Sequence, residues 1–168
     1  RSYSVTGVQT CALPIFQWNV DMLGSDSPES DAELIAVCAT FFQKVGLSPD
    51  QVKIFVNSRE LMDLVLKRLG ISPDLKTSVF RLIDRKDKLS FQEWEQFALS
   101  LGLTQTQLDG LKFAITDKDL WQESESLKTV IQLLGKMGLG DYVTFDPQII
   151  RGLDYYTGVV FEARDIDR

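Results

Sequence analysis

The segment RGLDYYTGVVFEA, residues 151–163, joins a polar cluster directly to an apolar run. The apolar run has the short, β-branched composition that predicts a strand. Arg151 stands just before it, where a planar guanidinium can hold a carboxylate or a phosphate through two parallel hydrogen bonds. By strand alternation, Asp154 and Tyr156 share one face and Tyr155 takes the other. We therefore predict a strand with a cation, a carboxylate and phenol groups at its start.

A second polar face belongs to the segment FQWNVDMLG, residues 16–24, whose apolar and polar residues alternate as in a half-buried strand. Gln17 and Asp21 share the polar face of this predicted strand, with Cα atoms roughly 13 Å apart. Two such side chains can hold opposite ends of a small ligand. The alternative is that both polar clusters are simply hydrated or bonded to turns, which is the commoner role of polar residues near strand ends.

The following residues show contrasting periodicities. Residues 31–46 carry the i, i+3, i+4 apolar spacing of an amphipathic helix, with Ser30 or Asp31 as its N-cap and a glycine at its end. Residues 51–58 then predict a strand, and residues 59–70 predict a helix that a glycine ends.

From residue 72 to residue 138 the pattern predicts consecutive helices, with breaks near the segments DRKDK, LGLT and TDKD. Residues 141–147 return to alternation, and the strand of the opening segment follows them. This order predicts an α+β domain whose antiparallel sheet is interrupted by an inserted helical subdomain. We divide the chain into an N-terminal segment of different character (1–15), a first part of the α+β core (16–71), the helical insertion (72–138) and a second part of the core (139–168).

The first residues of the chain differ in character from those that follow. The stretch VTGVQTCALPI, residues 5–15, has neither helical nor strand periodicity and meets the strand pattern at Phe16 without a turn. Written as codons, it corresponds to a nucleotide string that resembles a widely used sequencing-library adapter. We therefore expect residues 1–15 to be a foreign remnant that adds no element to the fold.

Composition and charge argue against several functions. The chain has 168 residues, 44% of them hydrophobic, which suffices for one globular domain or a compact piece of a larger one. Its formal charge of −6 argues against a surface for non-specific nucleic-acid binding. Cys11 and Cys38 follow no metal-ligand spacing, so we predict no metal site in the protein and a reduced, cytoplasmic setting. No apolar run reaches the roughly 18 residues of a membrane-spanning helix.

Two separate segments resemble signatures of histidyl-tRNA synthetase, a class II aminoacyl-tRNA synthetase. The segment FQWNVDMLGSDSPESDAELI, residues 16–35, resembles the second strand of class II motif 2 and its continuation. Residues 151–158 carry the histidine-binding motif RGLDYYTG unbroken. Both occur in the family's order, with a helical insertion of suitable length between them, and the resemblance covers residues 16–165. It implies a class II catalytic fold and an aminoacyl-tRNA ligase.

The resemblance implies a role for each matching residue. Gln17 would contact the α-amino or carboxylate end of histidine, and Asp21 would accept a hydrogen bond from its imidazole. Tyr156, with Tyr155 nearby, would complete the pocket for the ring. Arg151 would stabilise charge near the α-phosphate while the histidine carboxylate attacks ATP, forming histidyl-adenylate and releasing pyrophosphate. A carboxylate and a phenol at opposite edges suit the two ring nitrogens of imidazole, because a ligand without those nitrogens would leave them unpaired.

The resemblance also implies partners and missing parts. The expected substrates are L-histidine, ATP with Mg²⁺, and tRNA(His), and the expected parent is a cytoplasmic homodimer. The family's motif 1, its motif 2 and motif 3 arginines, and its anticodon-binding domain have no counterpart in this sequence. We therefore expect an internal fragment of the catalytic domain that is inactive alone.

Four basic residues lie close together in the predicted insertion: Arg81, Arg85, Lys86 and Lys88. In the family this lobe approaches the tRNA acceptor arm, so the resemblance makes them candidate phosphate contacts. A solvated helix end is the simpler interpretation, and we favour it.

Two other functions are weighed against the ligase. The synthetase-like regulatory subunit of ATP phosphoribosyltransferase, in histidine biosynthesis, shares the catalytic fold but binds without ligating. Its RGLDYYTG segment is degraded, whereas this chain keeps the whole motif. A calcium loop over DRKDKLSFQEW, residues 84–94, would place Lys86 at a ligand position, where a lysine cannot coordinate a cation. We interpret that segment as a helix boundary.

Overall fold

A computed structural model of the chain describes residues 18–150 and 157–166. The described residues form an α+β fold with a three-stranded sheet and six α-helices, as the periodicities predict. The predicted foreign segment, residues 1–15, lies outside them. The elements in chain order are α1 (Pro28–Lys44), β1 (Val52–Ser58), α2 (Arg59–Arg68), α3 (Lys76–Asp84), α4 (Phe91–Ser100), α5 (Gln105–Ala114), α6 (Glu125–Lys136), β2 (Val143–Phe145) and β3 (Val159–Asp165).

Strand β1 lies at the centre of the sheet, in the order β2-β1-β3. It pairs with β3 antiparallel over its whole length, from Val52 opposite Asp165 to Ser58 opposite Val159. Strand β2 runs parallel to β1, whereas the sequence pattern predicts antiparallel pairing throughout. Because all of α2 to α6 intervene between β1 and β2, the chain makes the long crossover that parallel pairing requires.

Helix α1 begins earlier than the predicted caps. Ser30 and Asp31 lie inside it, so that prediction is wrong; the N-cap is Ser27, whose hydroxyl accepts the Ser30 N–H at 3.4 Å. The cause is Pro28, which occupies the first helical position because its fixed φ and missing N–H suit it. The predicted end is confirmed: Gly46 adopts φ +82°, in the left-handed region that a helix-terminating glycine favours.

The predicted strand over residues 16–24 is wrong for the part that the structure describes. Residues 18–23 form no regular element, and Trp18 is 86% exposed with its ring packed edge-on against Phe41 at 5.7 Å between centroids. Alternation predicts which residues lie on each face of a strand, but it does not identify the strand with which the segment would pair. The described sheet consists of β2, β1 and β3, and residues 18–23 are not part of it.

The helical region between residues 72 and 138 has the predicted breaks. Helices α3, α4 and α5 end at the segments DRKDK, LGLT and TDKD, and α4 and α5 each begin with a complete capping box. The last helix, α6, packs against α1, and its buried residues join the hydrophobic core that also contains β1. The division of the chain into domains stays a prediction.

Candidate functional site

Most of the residues with predicted roles in binding histidine and ATP lie outside the described residues. These are Gln17, Arg151, Tyr155 and Tyr156. Asp21 is described, and it is exposed in a segment without regular structure. The convergence of these side chains on one pocket therefore stays a prediction. The described residues define the chain on both sides of the RGLDYYTG motif.

The segment before the motif is fixed against the end of β1. The Asp146 N–H donates to the carbonyl of Val56 at 3.0 Å, which carries the alignment with β1 one residue beyond β2. The Asp146 carboxylate accepts the Gln148 N–H at 3.1 Å, and the Ile149 N–H donates to the Asp146 carbonyl at 3.1 Å. Ile149 and Ile150 are both buried. The backbone thus reaches Arg151 from a packed, hydrogen-bonded turn.

Asn57 links this turn to the sheet. Its side chain is fully buried, and its Nδ2 donates to the carbonyl of Pro147 at 3.0 Å. Its Oδ1 accepts the N–H of Ser58 at 2.8 Å. A buried amide is stabilising when its polar atoms are paired, so removal of this side chain would leave the Pro147 carbonyl without that donor.

Arg59 contacts the residue just before the motif and the last residue of the motif. Its backbone N–H donates to the carbonyl of Gly158 at 3.0 Å, immediately after the motif's threonine. Its guanidinium Nη1 donates to the carbonyl of Ile150 at 3.4 Å, immediately before Arg151. The same guanidinium lies over the ring of Phe80 on α3, 4.7 Å from its centroid. One residue therefore joins β1, α2 and α3 to both ends of the motif.

Arg59 is a nearly buried cation in the first turn of a helix. It is the first residue of α2, where Ser58 is the N-cap, and only 6% of it is exposed. A cation in the first turn opposes the helix dipole, typically by about 0.3–1 kcal/mol, and a buried charge loses hydration as well. Residues that break a local rule in this way are concentrated at functional sites.

The sequence interpretation missed Asn57 and Arg59. It assigned both to regular elements without a role, because a helical period places a charged first residue in solvent. A signal was present: the apolar run VKIFV passes into the polar residues Asn-Ser-Arg with no turn before α2.

The four basic candidate residues surround the end of α3 and the 3₁₀ turn over Lys86–Lys88. Arg81, Arg85 and Lys88 are exposed and Lys86 is partly buried. Lys88 pairs with Asp84 at 3.5 Å, and the Arg85 guanidinium lies 6.0 Å from the centroid of the Phe97 ring. The four residues therefore lie along one short stretch of chain, in which Lys88 is paired with an acidic side chain. Their contact with tRNA stays a prediction.

The predicted helix boundary in the segment DRKDKLSFQEW is confirmed. Helix α4 begins at Phe91 with Ser90 as its N-cap, and the Glu93 carboxylate accepts the Ser90 N–H at 2.9 Å. Hydrogen bonds from the Ser90 hydroxyl and backbone lower the pKa of Glu93. This carboxylate caps a helix. Among the residues that the structure describes, no three His, Cys, Asp or Glu side chains are grouped as a metal site.

An apolar groove of 780 Å³ lies between α1 and β3. Its exposed walls are Trp18 (86% exposed), Val20 (60%), Val37 (50%) and Phe41 (43%), and Phe161 of β3 also lines it. Burial raises the pKa of Cys38, a further lining residue, so its thiol is protonated at neutral pH and is not an activated nucleophile. An exposed apolar surface of this kind is typical of a face that another part of a protein covers.

We expect a hydrophobic dye such as ANS to bind the isolated chain at this groove. The double substitution Val37→Gln, Phe41→Gln should lower the dye fluorescence at least about twofold, because it replaces the exposed apolar walls. Leu64→Gln on α2 is the control, since Leu64 is also exposed (51%) but does not line the groove. Equal losses in both variants would show that the dye does not report on the groove.

The described helices are all too short or too polar to cross a membrane.

Comparisons with known proteins place this fold among aminoacyl-tRNA synthetases. The structure superposes on histidyl-tRNA synthetase from Nostoc sp. PCC 7120 with a TM-score of 0.75 and 25% identity, covering 85% of this chain and 38% of that chain. A family model described as histidyl-tRNA synthetase matches residues 12–165. The chain therefore belongs to the histidyl-tRNA synthetase family.

The chloroplastic/mitochondrial histidine–tRNA ligase of Arabidopsis thaliana is 31% identical over 160 residues. That match covers 89% of this chain and 33% of the relative, so the chain spans about a third of the relative's length.

A protein from Bacillus halodurans C, described as an ATP phosphoribosyltransferase regulatory subunit/histidyl-tRNA synthetase, shares the fold at a TM-score of 0.66 and 21% identity. The match covers 86% of this chain and 41% of that one. This likeness to a regulatory subunit is weaker than the likeness to the Nostoc synthetase.

Proposed function

We propose that this chain is part of the catalytic domain of a histidine–tRNA ligase. The complete protein would activate histidine with ATP and transfer the histidyl group to tRNA(His). The observation that carries the proposal is the unbroken RGLDYYTG motif at residues 151–158, in a chain of this family whose fold fixes the backbone on both sides of it. A degraded motif would favour the regulatory alternative.

The proposed roles follow the matching positions. Arg151 stabilises the charge that develops near the α-phosphate, which lowers the barrier because the donor is already in place when the reaction occurs. Asp21 and Tyr156 recognise the two nitrogens of the imidazole, with Tyr155 beside them, and Gln17 binds the amino-acid end. A pocket built to pair those nitrogens can reject an analogue that lacks them by about 10⁴- to 10⁵-fold.

ATP is a substrate in this proposal, and Mg²⁺ is expected to accompany its phosphates. The described residues supply no grouped set of ligands for the ion, so we derive no step through it. The complete protein is proposed to be a homodimer and to act in the cytoplasm. The chain spans only 33–38% of the length of the first two relatives. We propose that another part of the same catalytic domain, outside this chain, covers the apolar groove between α1 and β3.

The decisive experiment uses the complete protein encoded by the gene. We expect histidine-dependent exchange of pyrophosphate into ATP, followed by charging of tRNA(His). A regulatory subunit would bind histidine without exchange and would instead alter the activity of ATP phosphoribosyltransferase. Absence of exchange with histidine in a folded complete protein would overturn the proposed function.

The basic surface around residues 81–88 gives a separate prediction. Arg85→Ala combined with Lys86→Ala should raise the KM for tRNA(His) by less than about threefold, or roughly 0.7 kcal/mol, because solvated cations that contact no phosphate contribute little to binding. Histidine-dependent exchange, which needs no tRNA, serves as the control and should be unchanged. If the two residues contact phosphates, the slope of log affinity against log salt should fall by about 2, and the solvated interpretation would be wrong.

A further inference from the structure

We propose that Asn57 and Arg59 are positioning residues for the reaction at the RGLDYYTG motif. They contact neither substrate in the proposal; they act by fixing the backbone just before the motif and at its last residue. The inference rests on the proposed function, and it adds two residues to the machinery of that site.

Arg59 is hydrogen-bonded to both ends of the segment that contains the motif. It donates to the carbonyl of Ile150 through its guanidinium and to the carbonyl of Gly158 through its backbone N–H. Arg59 is therefore in contact with the chain both just before the motif, at Ile150, and at the last residue of the motif, Gly158. Asn57, two residues earlier, binds the Pro147 carbonyl at 3.0 Å. The entry to the motif is held at two points and its exit at one, all from the end of one strand.

Asn57 and Arg59 belong to regular elements that are packed in the core. Asn57 and Ser58 end the central strand, where β3 pairs antiparallel up to Val159. Arg59 begins α2, whose next turns bury Leu61, Met62 and Val65 in the core. Catalytic groups placed by rigid elements hold their geometry better than groups on unsupported loops. A displacement of about 1 Å at a reacting group can lower a rate about 100-fold.

Asn57 and Arg59 are polar residues in a buried position. Arg59 is a nearly buried cation at the positive end of α2, and Asn57 is a fully buried amide. An apolar residue at either position would avoid the cost of removing a polar group from water. The carbonyl partners of these side chains, Pro147 and Ile150, both lie in the turn that leads into the motif. Both side chains thus bind carbonyl groups of that turn.

Three variants separate positioning from general stability. Asn57→Ala removes the Pro147 contact, and Arg59→Lys keeps the charge but not the planar guanidinium. Ser58→Ala is the matched control: Ser58 is equally buried and adjacent, but its hydroxyl caps α2 by accepting the Leu61 N–H at 3.3 Å. Loss of such a cap typically costs about 1 kcal/mol, so Ser58→Ala should be destabilised without losing either contact to the turn before the motif.

The first measurement is hydrogen exchange in the chain itself. The amides of Asp146 and Ile149 should exchange faster in Asn57→Ala and Arg59→Lys than in Ser58→Ala, once each rate is compared at equal global stability. Equal exchange in the three variants would overturn the positioning role, whatever the function of the protein.

The second measurement is adenylate formation in the complete protein. Asn57→Ala and Arg59→Lys should lower the single-turnover rate by about 10- to 100-fold per folded molecule, while Ser58→Ala stays within about twofold of the unsubstituted protein. Rates that follow only the folded fraction would overturn the inference. Absence of activity in the unsubstituted protein would instead overturn the proposed function, so the two failures are distinguishable.

Discussion

Replacing Arg151 with alanine in the complete protein should slow histidyl-adenylate formation by about 100- to 1000-fold. The expected loss is large because a preplaced guanidinium acts on charge that develops only in the transition state. The affinity for histidine should change far less, since uniform binding and transition-state binding are separate quantities. Rapid-quench measurement of pyrophosphate release reports the chemical step directly.

Two variants test the reason for that loss. Arg151→Lys keeps the positive charge but not the two-pronged geometry, so it should recover only part of the rate. Arg68→Ala is the control for removing a cation, because Arg68 forms an exposed ion pair with Glu123 on the helical side of the molecule. An unchanged rate of adenylate formation in Arg151→Ala would remove Arg151 from its proposed role.

The sequence predicts the helices of this chain well because their signals are local. Ser90 with Glu93 and Thr104 with Gln107 form the capping boxes of α4 and α5 inside four-residue windows. Gly46 ends α1 by its own conformational freedom. Each of these features depends on residues a few positions apart, so periodicity and capping chemistry suffice to find them.

Pairing between distant segments is not contained in such windows. Residues 18–23 alternate like a strand, but alternation does not specify a partner, and the structure gives them none in its three-stranded sheet. The parallel pairing of β1 with β2 follows from the long helical crossover rather than from either strand's own sequence. The clamp made by Asn57 and Arg59 joins positions about ninety residues apart, and the sequence marks it only by polar residues at the end of an apolar strand.

The proposed site combines both kinds of information. The motif itself is recognised by resemblance, because its chemistry is written in consecutive residues 151–158. What supports the motif is visible only in the fold, where Arg59 contacts Ile150 just before the motif and Gly158 at its end, and reaches Phe80 on α3. The ring of Phe80 thereby connects this arginine to α3, a helix that carries none of the motif.

The chain of 168 residues, expressed alone, should show no histidine-dependent ATP–pyrophosphate exchange, more than about 10⁴-fold below the complete protein. It carries the proposed histidine-binding motif, but we predict that it lacks the family's motif 2 and motif 3 arginines, which would hold ATP. Catalytic groups that act as a unit lose most of their effect when one is removed. Its apolar groove between α1 and β3 should also promote self-association.

The test compares the chain with the complete protein at equal concentration, with circular dichroism and a thermal transition showing that the chain is folded. Val37→Gln with Phe41→Gln in the chain controls for aggregation, because it should keep the chain dispersed without restoring exchange. Exchange by the dispersed chain at a rate near that of the complete protein would contradict the prediction, since the 168 residues would then contain every group that the activation step needs. The expected result is that the dispersed, folded chain is inactive and the complete protein is active. Asn57 and Arg59 are proposed to position the motif, but they do not bind ATP.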